Sequence, residues 1–348
     1  MRNQVRKILK KTKGKSKLRT IRTPRSEDDI LALLSEHFPV SCPALLVGRG
    51  DDCAVLRPGG SLAVTCDVFV EDVHFRRRYF SAADIGHKAL AVNLSDLASA
   101  GARPLGFVLG LTLTGREDET WLHDFAEGMA RLARRWGVGL AGGDLARARS
   151  LHISITAWGE VPAHLPRGLR RARAQEGDIL FLVGSLGMAR VGLNLLETAD
   201  GPDGAAAVLA AWPAACSAHL RPGPLVDEGR LLARLAAPAP DRYSLMDVSD
   251  GLARDLPRLL GGRGAELELP AAFLPDELRR YAAEQGLEAA SFAFEGGEDY
   301  ALAGTCPPEG WADLIRALPV ARRLGVVTGK EIVLNSRPRP VGGFDHFA

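Results

Sequence analysis

Nowhere in these 348 residues does the Walker pattern GxxxxGK followed by Ser or Thr occur, so any phosphate the chain handles is not cradled by that lysine-bearing loop. It has no apolar run of the roughly 18 residues that a membrane helix needs, and no span is predicted. Cysteine is sparse: Cys42, Cys53, Cys66, Cys216 and Cys306 include no CxxC pair. An odd, widely spaced set argues against a disulfide framework and against a zinc site, and predicts reduced thiols in a cytoplasmic protein. Acidic residues are missing altogether from residues 1–25, which hold eleven Lys or Arg. That stretch also lacks the apolar core, roughly 7–15 residues long, of a secretory signal. It has little to bury and is expected to be a disordered basic tail. Three readings of it stay open: an upstream extension with no role, a tail touching nucleic acid or anionic lipid, or a targeting segment.

Past the tail, 33 basic residues face 42 acidic ones, so the formal charge of +2 hides a body near −9. With 46% hydrophobic and 25% charged residues the chain has the composition of an ordinary globular protein, and its length favours two domains. Ser26 before Glu27 and Asp28 marks a helix start, with Ile30, Leu31, Leu33 and Leu34 as its apolar face. Strands are predicted at 44–47, 54–56 and 62–66, the last two around the Pro58-Gly59-Gly60 turn, then a helix over 82–100. A strand over 105–113, a helix over 117–136, a strand over 138–140 and an alternating strand over 151–161 follow. Residues 162–177, rich in Pro, Arg, Gly and Ala, form the best candidate boundary. Beyond it the pattern predicts strands at 178–183, 243–248, 265–269, 301–305 and 324–327. Helices are predicted over 188–197, 224–235, 252–260 and 311–318, with 201–213 a loop or short helix. The division is therefore a tail (1–25), an N-terminal domain (26–165) and a C-terminal domain (166–348). The alternation of strands and helices in both points to α/β or α+β layers.

Six short acidic motifs punctuate this frame: GRGDDC (48–53), TCD (65–67), NLSD (93–96), GGD (142–144), DVSDG (247–251) and GGED (296–299). Carboxylates are hard oxygen ligands of the kind that hold Mg²⁺ together with a substrate phosphate, and the neighbouring glycines let backbone approach an anion closely. Any one motif can be a solvated turn, since Asp and Gly are common turn residues. Thr65 and Asp67 share a face of one strand, and Asn93 and Asp96 share a face of a mostly apolar helix, where polar groups need partners. In DVSDG, Asp247, Ser249 and Asp250 offer two carboxylates and a hydroxyl at a strand-to-helix turn. Asp52, Asp67, Asp96, Asp144, Asp247 and Asp250 form the expected group, and a divalent cation would reconcile an acidic body with an anionic nucleotide.

The succession GRGDDCAVL, TCD, VHF (73–75), HKALAVNLSDLASAGARP, GGD, LMDVSDGL, GGEDY and a terminal GFDHF resembles the thiamine-monophosphate kinases, a family of the aminoimidazole ribonucleotide synthetase-like (PurM-like) superfamily. The resemblance runs from about residue 27 to the C-terminus, and its most specific pieces are NLSDLASAGA, DVSDGL, GGEDY and DHF. It implies a two-domain α+β or α/β fold, with a dimerising PurM-like N-terminal domain of mixed sheet and helices and a PurM-like C-terminal α/β domain. It implies ATP-dependent phosphorylation of thiamine monophosphate with several Mg²⁺ ions, in a homodimer joined through its N-terminal domains. Carried over position by position, the metal ligands are Asp52, Thr65, Cys66, Asp67, Asp96, Asp144, Asp247 and Asp250. Gly143, Asp144, Arg171 and Ser249 match nucleotide contacts, and His74, Glu298 and Phe344 match thiamine-phosphate contacts. The Cys66 position usually holds Thr, so a backbone carbonyl contact would survive there and a hydroxyl contact would not. Leu145 and Ala146 stand where two threonines are common, which puts a hydroxyl contact there in doubt.

The chemistry is coherent without the resemblance. A phosphate monoester, with a second pKa near about 6, is largely anionic at neutral pH. It needs no general base, only charge neutralisation and in-line placement, and no catalytic residue is assigned. Phe344 offers a ring for cation–π contact or a packed C-terminal anchor. The rival readings are aminoimidazole ribonucleotide synthetase, and a non-catalytic scaffold whose tail binds nucleic acid with steep salt dependence. Selenophosphate synthetase is disfavoured because the tail has no cysteine, and the hydrogenase-maturation dehydratase because the chain ends in DHFA.

Overall fold

The computed structural model describes residues 26–38, 44–329, 331–340 and 342; the basic tail, Cys42 and Phe344 lie outside them. Helix α1 (Glu27–His37) starts where Ser26 caps it, accepting from the Asp29 amide while the Asp29 side chain returns the bond. Strands β1 (Leu45–Val47) and β2 (Val55–Leu56) make a small antiparallel ribbon. The remaining elements of the first half are β3 (Leu62–Val70), α2 (Ala82–Ser99), β4 (Arg103–Leu113), α3 (Glu119–Trp136), β5 (Gly139–Arg147) and β6 (His152–Glu160). The second half runs β7 (Ile179–Val183), α4 (Met188–Glu197), α5 (Gly201–Ala211), α6 (Pro213–Leu220), α7 (Val226–Leu235), β8 (Ser244–Val248), α8 (Leu252–Leu260) and β9 (Gly264–Leu267). It ends with α9 (Asp276–Gln285), α10 (Ala289–Glu295), β10 (Ala301–Cys306), α11 (Trp311–Ala317), β11 (Arg322–Thr328), β12 (Ile332–Leu334) and β13 (Arg337–Pro338).

A four-stranded sheet of order β3-β6-β4-β5 is antiparallel except for the parallel β4–β5 pair. A seven-stranded sheet of order β13-β12-β9-β11-β7-β10-β8 is antiparallel except for β12–β9. The architecture is thus two mixed sheets with helices, an α+β fold. Two expectations are revised by pairing. The Pro58-Gly59-Gly60 turn joins strands of different sheets, because β2 pairs with β1 and β3 with β6. GGD is not a turn after a strand but lies inside β5, with Gly143 opposite Leu109 and Asp144 opposite Gly110.

Helix α2 is the hinge-pin of this arrangement. Ser81 and Asp84 close a capping box at its start, and Asp84 also pairs with Arg221 from the second half. Almost every α2 residue is buried, because the helix touches β3, β6 and α3 on one side and α7 and β8 on the other. Glycines permit the closest crossings: a Cβ on Gly128 of α3 would lie 2.1 Å from the Ala83 carbonyl oxygen, and one on Gly229 of α7 would lie 2.0 Å from that of Ala98. One continuous apolar core consequently runs from Leu33 to Leu334 through both halves. The far face of the four-stranded sheet carries the β1–β2 ribbon over Leu105, Ala141 and Trp158, and beyond the ribbon leaves Val64 (65%) and Val68 (54%) exposed. Among the described residues no helix is long and apolar enough to cross a membrane.

Candidate active site

A cavity of about 750 Å³ opens where the two halves meet, a size typical of small-molecule sites. Two loops of the second half form its floor. The DVSDG turn leaves β8, whose five residues are all buried, and Asp255 of α8 ties the turn down by accepting from the amides of Ser249 (3.1 Å) and Asp250 (3.0 Å). The GGEDY loop (296–300) lies against it: the Glu298 amide donates to the Ser249 carbonyl at 2.7 Å and the Tyr300 amide to that of Val248 at 2.9 Å. Gly297 is required here, since a Cβ would sit 2.8 Å from the Ser249 oxygen. Glu298 and Tyr300 both hold left-handed φ angles, 63° and 50°, a costly conformation for residues with side chains that often accompanies function. Asp299 anchors the loop elsewhere, accepting from the amides of Gly187 (2.5 Å) and Ala189 (3.1 Å) at the start of α4.

The first half supplies the roof. Asp67 on β3 and Asp96 on α2 line the same cavity as Asp247 and Asp250. Thr65, on the same face of β3 as Asp67, donates to Asp96, and Ser95 donates to Asp247 at 2.8 Å. Burial and the facing Asp96 push the Asp67 carboxyl up to about 7. Burial and Asp96 do the same to Asp247, up to about 7, against the opposing Ser95 hydrogen bond and the Arg171 guanidinium. Burial raises Asp96 too, while Thr65 and Arg171 oppose the rise. Three carboxylates that repel one another, Asp247 buried and Asp67 and Asp96 half-buried, with arginine nearby, fit a bound cation and an anionic ligand. Among the described residues no three His, Cys, Asp or Glu side chains are gathered tightly enough to hold a metal ion by themselves.

The expected residues separate into those the fold gathers here and those it does not. His74, Ser249 and Glu298 line the cavity with the four aspartates; the His74 ring accepts from the Val70 amide at 3.1 Å and packs on Phe69. Arg171 is exposed, yet close enough to act on Asp96 and Asp247. The Cys66 thiol points to the opposite face of β3 from Thr65 and Asp67, 3.9 Å from the Ser154 hydroxyl, and so faces away from the cavity. Asp52 sits on the exposed β1–β2 turn, and Asp144 is exposed on β5, beside Gly143, which the Leu109 backbone leaves no room for a side chain; none of these three lines the cavity. Asp250 is held by Arg258 at 2.8 Å. Asn93 is buried and donates to the Ala89 carbonyl at 3.1 Å within its own helix. Sequence reasoning missed Ser95, Tyr300, Arg76, Arg190 and Glu197. Only Ser95, inside NLSD, and Tyr300, inside GGEDY, stood next to a signal that marked them.

Comparison with known proteins gives consistent results. Residues 50–161 match the family described as AIR synthase related protein, N-terminal domain. The chain is 34% identical over 345 residues to the thiamine-monophosphate kinase of Synechococcus elongatus, covering 92% of this chain and 96% of that protein. It is 37% identical over 265 residues to that of Haemophilus influenzae, covering 75% of each. Among solved structures it is similar to the thiamine-monophosphate kinase of Stenotrophomonas maltophilia, with 33% identity, a TM-score of 0.72 and coverage of 90% and 96%. AaThiL complexed with AMPPCP and TMP matches with 27% identity and a TM-score of 0.68, covering 92% and 97%. The hydrogenase maturation protein HypE, at 20% identity and a TM-score of 0.68, shares the fold.

Proposed function

The chain belongs to the thiamine-monophosphate kinase family, and from that premise we propose that its cavity carries out in-line transfer of the γ-phosphoryl group of ATP to thiamine monophosphate, giving thiamine diphosphate and ADP. The observation that carries this reading is the convergence of Asp67, Asp96 and Asp247, from three different elements, at one end of an interdomain cavity whose other parts include His74 and Glu298. AaThiL, complexed with AMPPCP and TMP, has the same fold over nearly the whole chain.

Each group then has a physical task. Arg171 sits near the cavity aspartates and suits the nucleotide's phosphates, with Gly143, Asp144 and Ser249 as further nucleotide contacts. Asp67, Asp96, Asp247 and Asp250, with Thr65 and the backbone at Cys66, would hold several Mg²⁺ ions, which when bound neutralise charge between two mutually repelling phosphates; Asp52 and Asp144, implied by the family resemblance, stand outside the cavity lining. His74, Glu298 and Phe344 are assigned to the acceptor. No base is required, because the attacking oxygen of a phosphate monoester is already largely anionic above about pH 6. Orientation and dehydration of the two esters are what the enclosed cavity contributes. The apolar strip at Val64 and Val68 beside the open edge strand β3 supports a homodimer joined through the four-stranded sheets.

The test is direct: purified protein with ATP, Mg²⁺ and thiamine monophosphate, product followed by chromatography. Stoichiometric thiamine diphosphate and ADP are expected. Absence of thiamine diphosphate, with turnover of the aminoimidazole ribonucleotide synthetase substrate instead, would move the chain to the rival activity.

A further inference from the structure

Glu298 is gripped from behind by two buried side chains that come from other parts of the chain. Lys88 of α2 is completely buried, and its ammonium donates to Glu298 Oε1 at 2.9 Å. His219 of α6 is 1% exposed, with Nδ1 3.0 Å from Glu298 Oε2. Phe80 closes the nest, lying 5.5 Å from the Lys88 nitrogen and edge-on to the His219 ring at 5.3 Å. Glu298 itself is 26% exposed and lines the cavity. An ionised carboxylate has about four acceptor sites on two oxygens, so one donor on each oxygen still leaves acceptor capacity for a ligand.

Two further observations distinguish this from an ordinary structural ion pair. The Glu298 backbone is held at a left-handed φ of 63°, so the loop presents this side chain at some cost. His219 Nε2 is buried without any hydrogen-bond partner, although His219 lines the cavity. A histidine retained only for packing would be expected to have both nitrogens satisfied.

Resting on the kinase reading, we infer that Lys88 and His219 are positioning residues: they clamp both oxygens of Glu298 so that its free lone pairs meet an amino or N–H group of the phosphate-bearing acceptor. Helix α2 carries both Lys88 and the cavity aspartate Asp96, so the clamp and the aspartates share one rigid element. The acceptor class is a phosphate monoester that also carries a hydrogen-bond donor.

The experiment measures KM for thiamine monophosphate and for ATP separately. His219→Phe is expected to raise KM for the acceptor about tenfold or more, leaving KM for ATP within about twofold; a lost charge-assisted hydrogen bond is worth about that much. His219→Asn, which keeps a donor, should restore most of it. Lys88→Met leaves Glu298 with one of its two clamping partners and a cavity in the core that risks misfolding, so the double variant Lys88→Met/Glu298→Gln is made as well, and should fold and show the same acceptor-specific loss. Unchanged acceptor KM in His219→Phe, or equal rises for both substrates, overturns the clamp. Wild-type protein inert toward thiamine monophosphate sinks the kinase reading instead. The clamp is then decided by imidazole ¹⁵N shifts of histidine-labelled protein: a proton on His219 Nδ1 that is lost or shifted in Glu298→Ala upholds it, and an unprotonated Nδ1, or one unmoved by the substitution, overturns it.

Discussion

Asp247 is the most enclosed of the cavity aspartates, 3% exposed and held by the Ser95 hydroxyl. Burial together with Asp96 pushes it up to about 7, and burial with Asp96 does the same to Asp67. A carboxyl raised in the native state binds its proton more tightly there than when unfolded. These groups therefore favour folding at low pH and subtract stability as pH climbs from about 4 to about 7, with no further change above that window. A divalent cation relieves only the charged form. Mg²⁺ at ten times its Kd should stabilise by about 1.4 kcal/mol, a rise in Tm of about 2 °C. That rise is expected at about pH 8 and should largely vanish at about pH 5.5 and in Asp247→Asn; equal shifts at both pH values by scanning calorimetry would contradict it. The aspartates were legible because each sits in a compact acidic motif, nearly all of which combine Asp with Gly, Ser or Asn. Lys88 and His219 were not, because their shared partner Glu298 lies 210 and 79 positions away and only the fold brings them together.

At the scale of elements, local signals held where the cause was local. Ser26 began α1 as read, and α4 and α8 have the predicted bounds. Where tertiary contact decided, the sequence misled. β5 continues through GGD to Arg147 because β4 offers it a parallel partner, which no glycine count reveals. α6, α9 and α10 escaped notice, being short and either Ala-rich or polar. The crossing of α2 with α7 yields a prediction of its own. Gly229→Ala places a methyl 2.0 Å from the Ala98 carbonyl oxygen, and overpacking of this kind costs about 1–3 kcal/mol. Because α2 also carries Val92 and Asp96 of the cavity lining, urea denaturation should show that loss and steady-state kinetics should show a fall in kcat/KM. A variant with native stability and native kcat/KM would mean the helices separate without consequence.

For the whole molecule, the two-domain α+β architecture followed from the alternation of elements and from the family resemblance, but the continuity of the core did not: periodicity marks which residues are buried, not which half they are buried against. The exposed Val64 and Val68 on β3 lead to an assembly prediction. Sedimentation of the wild type should give a dimer, and Val64→Lys/Val68→Lys should give a monomer with unchanged far-UV circular dichroism; a wild-type monomer at micromolar concentration would remove the sheet face as an interface. The shared cavity has a last consequence, in the order of synthesis. Among the described residues its lining begins at Asp67 and ends at Tyr300, so the first half leaves the ribosome with aspartates that have no opposite wall and no carboxylate clamp. Neither nucleotide nor thiamine phosphate can assist the nascent chain at that stage, and the earliest ligand-dependent protection from proteolysis comes only after the GGEDY loop has been translated.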